Sequence, residues 1–315
     1  MKKAVILLNM GGPNNLDEVE VFLKNMFNDP NIITVKNNLL RSIIAWMITT
    51  SRKKIARENY SKIGGKSPIC GYTKQLVQKV QAALGDDYYV TFAMCYTPPF
   101  SQDAIAELEN KDIEEVVLFP LYPQYSTTTT KSSLEDFAKK ADELFFDTKV
   151  TTIEPFFNDA LYNKSLVSNI KEALKDKKAE DFELIFSAHS LPQKIIDSGD
   201  PYQKQIELHV EIIKEFLEVE DIHFANTHIA YQSKLGPVKW LEPSLEDKIK
   251  SLSSKNILIC PLSFTIDNSE TEFELSIEYA EVAKDFGIKQ YIVSKCPNDS
   301  EDFVKFITQS VQNAV

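Results

Sequence analysis

The sequence predicts an α/β protein built as two similar, doubly wound parallel-sheet domains, and three observations carry that prediction. Short apolar runs alternate with longer stretches of helical periodicity, the pattern of parallel strands joined by crossover helices. The alternation occurs twice, and the halves share residues as well as spacing: Val116-Val117-Leu118-Phe119-Pro120-Leu121 matches Ile257-Leu258-Ile259-Cys260-Pro261-Leu262. The first strand of each half also runs into a loop that ends in proline, Pro13 in one and Pro192 in the other.

In the first half, residues 4–9 read as a buried strand. Met1-Lys2-Lys3 ahead of it has the charge of a signal peptide, but the apolar stretch stops at Asn9 without a small-residue cleavage site. Strands follow at 89–95, 116–121 and 150–153. Residues 154–160 read as a linker, which gives a first domain over 1–155 and a second over 156–315. Strands of the second half are expected at 184–188, 223–230, 257–262 and 290–294. The last helix, 301–312, is the one element the pattern allows to pack back on the first domain.

With 315 residues and 43% hydrophobic content, the chain has material for two domains of roughly 100–200 residues each. Asp and Glu total 46 against 35 Lys and Arg, a net charge of -11, which disfavours nucleic acid as a partner. One stretch departs from that balance. From 31 to 57 lie Lys36, Arg41, Arg52, Lys53, Lys54 and Arg57 with no acid, beside the apolar cluster Leu39-Leu40, Ile43-Ile44 and Trp46-Met47-Ile48. An apolar and basic lip of this kind predicts reversible contact with anionic bilayers, with a buried helix or a dimer contact as the alternatives. Cys70, Cys95, Cys260 and Cys296 form no C-x-x-C pair, which argues against a structural zinc or iron–sulfur site and fits a reducing, cytoplasmic compartment. No apolar run approaches the roughly 20 residues of a spanning helix.

The chemistry is expected at strand ends. Phe186-Ser187-Ala188-His189-Ser190-Leu191-Pro192 sets a histidine directly after an apolar run, where an open α/β sheet faces its ligand crevice, so His189 is the candidate catalytic group and metal ligand. His228 also stands near a strand end, and His209, inside a helix, reads as structural. Asp267, Glu270, Glu274 and Glu278 follow a second apolar run. On an α-helix the spacing of four stacks the glutamates into one column. A solvated face, with Phe273, Ile277 and Ala280 as the apolar stripe, is one account of it; a passing cation that relieves like-charge repulsion is the other. Both stay open on the residues alone.

Gly11-Gly12-Pro13 and Gly64-Gly65-Lys66-Ser67-Pro68 miss the spacing of the phosphate-binding loops. Tyr122-Pro123-Gln124-Tyr125-Ser126 precedes four threonines, and Ser132-Ser133-Leu134-Glu135 reads as a capping box for the next helix.

Taken together, the motifs resemble the ferrochelatases, enzymes that insert ferrous iron into a porphyrin to make haem. The resemblance rests on Leu8 to Pro13, Ile63 to Pro68, Tyr122 to Ser126, Phe186 to Pro192, Gly199-Asp200-Pro201-Tyr202, Tyr231 to Pro237 with Trp240-Leu241, and Asp267 to Thr271, in the family's order. It implies two Rossmann-like domains with an active-site cleft between them, and a metal-insertion lyase with His189 and Glu270 at the reacting centre. Asp267, Glu274 and Glu278 join these two as metal-handling groups. Met10, Tyr96, Tyr122, Tyr125, Ser126 and Trp240 are the implied porphyrin contacts.

Three positions depart from the family pattern: Cys95, where relatives commonly carry arginine; Asn268, where many have histidine; and Tyr231, where some have tryptophan. Thr127 stands where cluster-binding relatives have cysteine, and the chain ends at Val315, so no iron–sulfur cluster and no other cofactor is expected. Iron and porphyrin are substrates. Protoporphyrin IX is the expected porphyrin, since Met10 stands where relatives that use coproporphyrin III tend to have tyrosine. The alternatives are coproporphyrin III, a tetrapyrrole or metal carrier without turnover, and a chelatase acting on sirohydrochlorin. The expected location is the cytoplasm, with peripheral contact at the inner face of the membrane.

Overall fold

The apolar run at residues 4–8 becomes the centre of strand β1 (Lys2–Asn9), where Ala4, Val5, Ile6 and Leu7 are wholly buried. A strand apolar on both faces needs cover on both, which puts it inside a parallel sheet. Accordingly β1 runs parallel to β2 (Tyr88–Met94) and to β3 (Ile113–Pro120), with β4 (Lys149–Thr152) beyond β3. The order is β2-β1-β3-β4, and the second half repeats it as β6-β5-β7-β8, again all parallel. Its strands are β5 (Phe182–His189), β6 (Asn226–Gln232), β7 (Asn256–Pro261) and β8 (Gln290–Val293). This is a computed structural model describing residues 2–109, 111–234, 236–253 and 255–314.

Helices fill the connections: α1 (Glu18–Asn28), α2 (Asn38–Lys62), α3 (Ile69–Leu84), α4 (Ser101–Leu108) and α5 (Ser132–Glu143) in the first half. The second half has α6 (Ala160–Leu174), α7 (Gln193–Asp197), α8 (Tyr202–Val219), α9 (Leu245–Ser251), α10 (Tyr279–Asp285) and α11 (Glu301–Ala314). By internal contacts the chain forms two units. One holds the amino-terminal residues to Tyr122, then Ser126–Pro155 and the turns from Val304; the other holds Pro123–Tyr125 and Phe156–Phe303. In the first, Phe306 of α11 meets Phe119 edge-on at 5.8 Å, and in the second, Phe303 faces Tyr162 at 6.0 Å.

All eight expected strands form, one of them displaced. Residues 223–225 stay outside β6: the His223 ring bonds the Asp221 carboxylate at 2.9 Å, and pairing with β5 starts only at Asn226. His228 therefore sits opposite Ile185 in the middle of the sheet and bonds the buried Glu183 at 2.9 Å, away from the carboxyl ends.

The glycine motifs have packing explanations. Gly11 has φ +86°, and a Cβ there would lie 2.5 Å from Thr97 Oγ1; one on Gly12 would lie 2.6 Å from Ser67 Cβ. Three loops meet too closely for any larger residue. Gly65 closes α2 through a bond from its N–H to the Tyr60 carbonyl at 2.8 Å, the 6→1 bond of a helix end.

Each half also contains a wide, π-helical segment, and both follow the third strand of their sheet: Thr127–Lys131 after β3 and Glu270–Glu278 after β7. The first runs directly into α5. Its cap is Ser126, whose Oγ accepts the Thr128 N–H at 3.1 Å, so the capping box expected at Ser132 does not form; the chain is already helical there.

Candidate active site at the carboxyl ends of β5 and β6

His189 ends β5 beside Gln232, its neighbour at the end of β6. Two side chains hold its backbone: the His189 N–H donates to Ser263 Oγ at 3.0 Å, and the Tyr202 hydroxyl donates to the His189 carbonyl at 3.0 Å. The imidazole Nδ1 lies 2.8 Å from Glu270 Oε2, with 37% of the His189 side chain and 19% of the Glu270 side chain exposed. Against an ionised carboxylate Nδ1 carries the hydrogen, which assigns the lone pair to Nε2.

Glu270 opens the nine-residue π-helix, and its entry is set by Asn268, whose Oδ1 accepts the Glu270 N–H at 2.8 Å while its own N–H donates to Thr271 Oγ1. Asn268 is thus an N-terminal capping group. The winding is a correction to the α-helical column read from the sequence, and so is the buried stripe: Thr271, Phe273 and Leu275 are inside, whereas Ile277 and Ala280 are half-exposed.

Ser233 gathers the acids. Its hydroxyl stands 2.7 Å from Glu270 Oε2 and 2.5 Å from Glu274 Oε2, and its N–H donates to Glu274 Oε1 at 2.8 Å. Gln232 adds a bond to Glu270 Oε2 at 3.2 Å and is itself held by the Ser187 hydroxyl at 2.6 Å. The clasp requires Ser233 at φ +65°, a left-handed conformation that non-glycine residues seldom adopt and that tends to be kept where function holds it.

The electrostatics follow from this packing. Burial pulls the His189 pKa down, but the charge and hydrogen bond of Glu270, with the charge of Glu274, outweigh it and leave it above its ordinary 6.5. For Glu270, burial pushes up and His189, Ser233 and Gln232 pull down harder, so it lies below 4.5. Glu274 is pushed up to about 7 by burial and the Glu270 charge, with a smaller push from Glu278, against Ser233 and His189. The three form one charge system in which Glu274 is the group that holds a proton near neutrality.

The other residues singled out from sequence are placed as follows. Glu278, at the far end of the π-helix, is exposed. Asp267 does not join His189: it is buried, accepts from Asn298 Nδ2 at 2.7 Å and from the Cys296 N–H at 3.3 Å, and so fastens the turn ahead of the π-helix. Among the described residues no three His, Cys, Asp or Glu side chains converge as a metal-binding group.

In the first unit Met10 is half-buried after β1, the Tyr96 hydroxyl donates to Asp29 Oδ2 at 2.7 Å, and the Tyr122 hydroxyl pairs with Ser133 Oγ at 2.9 Å. In the second, the Tyr125 N–H is bonded to Gln205, and half-buried Trp240 bridges to Pro192, its indole N–H buried without a partner among the described residues. Sequence reasoning gave no role to Gln232, Ser233 and Tyr202, which it met only inside motifs of the family resemblance, and did not single out Ser263. The first two stand at the end of β6, where the strand-end rule already pointed.

A protein-family model described as Ferrochelatase matches residues 2–315. The chain belongs to the ferrochelatase family. It is 54% identical over 310 residues to a ferrochelatase of a Nitratiruptor species, covering 98% of this chain and 99% of that one. It is also 54% identical over 304 residues to a ferrochelatase of Sulfurimonas denitrificans, covering 96% of each. The family's activity is metal insertion into a porphyrin. Among solved structures, SirB from Bacillus subtilis with Fe3+ superposes with a TM-score of 0.59 at 11% identity, over 100% of this chain and 96% of that one. CbiX, described as the terminal enzyme for biosynthesis of siroheme in denitrifying bacteria, gives 0.55 at 11% identity over 100% of both chains. At that identity the likeness shows the shared two-sheet chelatase fold and nothing about substrate.

Proposed function

We propose that the chain inserts Fe(II) into protoporphyrin IX to give protohaem, with release of two protons. The observation that carries this reading is the His189–Glu270 pair at the carboxyl end of β5. Metallation exchanges two pyrrole protons for one divalent cation, so one place must accept protons and replace the cation's water. Nε2 of His189 presents a lone pair to each pyrrole N–H in turn, Glu270 stabilises the imidazolium that results, and the partly exposed ring passes each proton on to solvent. His189, Gln232 and Ser233 all bond Oε2 of Glu270, so Oε1 is the oxygen assigned to the arriving iron. Iron enters as a substrate and leaves in the product haem, and in this reading no resident cluster takes part.

The porphyrin contacts in this reading are Met10, Tyr96, Tyr122, Tyr125, Ser126 and Trp240. The hydroxyls of Tyr96 and Tyr122 already have protein partners, which leaves their rings as apolar contacts.

The second part of the proposal is peripheral contact with an anionic membrane through α2, at the cytoplasmic face. Leu39 is 72% and Trp46 66% exposed, with Leu40, Ile43 and Met47 also exposed, and Arg52, Lys53 and Lys54 follow two turns later. No helix among the described residues is long and apolar enough to cross a membrane. Arg41 turns inward to the Asn28 and Val35 carbonyls and acts as a brace.

Anaerobic mixing with Fe(II) and protoporphyrin IX, followed by absorption, tests the reaction: the free-base bands should give way to those of haem. No conversion by the wild type, or full conversion by His189→Ala, would refute it.

A further inference from the structure

Tyr202, Gln205 and His209 lie at intervals of three and four on α8, hence on one face. Tyr202 and His209 are buried, and the three bond either His189 or the segment Pro123–Tyr125. The Tyr202 hydroxyl donates to the His189 carbonyl at 3.0 Å. One turn on, Gln205 Oε1 accepts the Tyr125 N–H at 2.7 Å. One turn further, His209 Nδ1 lies 2.7 Å from Gln124 Nε2.

Backbone carbonyls fix the protons of this network. Asn163 Nδ2 donates to the carbonyls of Phe157 and Asp159 at 3.0 and 2.8 Å, so Asn163 Oδ1, 2.8 Å from His209 Nε2, accepts. His209 therefore carries its hydrogen on Nε2 and its lone pair on Nδ1. The Gln124 amide gives one hydrogen to Nδ1 and the other to the Leu262 carbonyl at 3.4 Å. Burial pushes the His209 pKa down to about 3, so the ring stays neutral and the pattern keeps one direction.

A buried hydrogen-bonded network of this kind is rigid and favours a single arrangement. It also sits where apolar residues of the same size would pack at lower desolvation cost, which points to placement as its purpose. The segment it holds belongs to no sheet: Pro123–Tyr125 clusters with the second unit while its neighbours on both sides belong to the first. In addition to these bonds, the Pro123 carbonyl accepts the Phe156 and Phe157 N–H groups at 3.0 Å each.

We propose that α8 is a splint that sets Tyr125 relative to His189: Tyr202 positions the imidazole, and Gln205 and His209 position the tyrosine segment for seating the porphyrin. This rests on the reading that His189 takes the pyrrole protons and Tyr125 meets the macrocycle.

Steady-state kinetics on folded protein separate the two ends. Gln205→Met, which keeps shape and removes one acceptor, should raise the porphyrin KM by about fivefold or more, the effect of one unmade bond, with iron KM and kcat within about twofold of wild type. Gln205→Glu, which restores an acceptor, should return the porphyrin KM to within about twofold. His209→Phe should move the same constant, and if it fails to fold Gln205 decides. Tyr202→Phe should lower kcat by about fivefold with the porphyrin KM unchanged. An unmoved porphyrin KM in Gln205→Met, no rescue by Gln205→Glu, an unmoved kcat in Tyr202→Phe, or a joint loss of kcat and KM in both would overturn the splint. An active His189→Ala would instead overturn the functional reading beneath it.

Discussion

Glu274→Gln should stabilise the protein at alkaline pH and leave it nearly unchanged at acidic pH. Ser233 has one hydroxyl hydrogen and two short contacts, 2.7 Å to Glu270 Oε2 and 2.5 Å to Glu274 Oε2. The second contact needs a hydrogen that only a protonated carboxyl supplies. Burial and the Glu270 charge hold Glu274 at about 7, against the ordinary 4.5 of the unfolded chain, so the folded state binds the extra proton between those values. Its contribution to stability is full below about 4.5 and is lost as the pH rises through about 7. That gap sets a ceiling of about 3 kcal/mol. Partial solvent access and sharing of the proton with Glu270 reduce it to about 1–2 kcal/mol. In glutamine the amide N–H donates to Ser233 Oγ and the carbonyl accepts the Ser233 N–H, which imitates the protonated acid permanently. Melting followed by circular dichroism at pH 5, 7 and 8.5 should show a difference that opens with pH to a few degrees, at about 2–4 °C per kcal/mol for units of this size. A difference independent of pH, or a variant less stable than wild type at pH 8.5, would refute the shared-proton reasoning.

His189→Ala should abolish iron insertion, measured by absorption, while porphyrin affinity by fluorescence quenching stays within about an order of magnitude, because the macrocycle's apolar area supplies most of the contact. Ser126→Ala should lower stability by about 1 kcal/mol through loss of the cap on the first π-helical segment, read as a shift in denaturant midpoint at constant slope. The protein should float with anionic liposomes and less at high salt, each basic residue of α2 near the surface contributing about 1 kcal/mol; binding indifferent to salt and lipid charge would count against the electrostatic part. With Met10 offering a thioether and no donor, kcat/KM should favour protoporphyrin IX over coproporphyrin III by about tenfold, or about 1.4 kcal/mol, in detergent with both substrates monomeric.

The fold was legible because its signals are local. A buried parallel strand is an apolar run whatever surrounds it, and the likeness of 116–121 to 257–262 announced the repeat. Where the sequence was silent, the deciding partner lay far along the chain. Asp267 reads as a metal-handling group by type and place, and only the fold brings Asn298 to it. His228 reads as a strand-end residue until pairing with β5 fixes where β6 begins. A spacing of four cannot reveal the i→i+5 bonding of residues 270–278, and nothing local announces that Ser233 turns left-handed to meet two carboxylates. His189 was legible as a candidate because the carboxyl end of a parallel strand is a physical address, whereas Tyr202 and Ser263, which hold its backbone, are defined only by three-dimensional contact.

The matching π-helical segments bear on how the site arose. They occupy equivalent places after β3 and β7, yet one reads Thr-Thr-Thr-Thr-Lys and the other carries the acids. Wide winding is therefore not a product of metal handling, since the half without the acids has it too. If the halves are duplicates of one ancestral sheet, the bulge is older than the chemistry, and the carboxylates were installed on a groove already cut. Transplanting Glu270 and Glu274 onto positions 127 and 131 would then recreate the backbone but no active centre, because among the described residues of the first half no serine turns left-handed to clasp them and no imidazole stands at the neighbouring strand end.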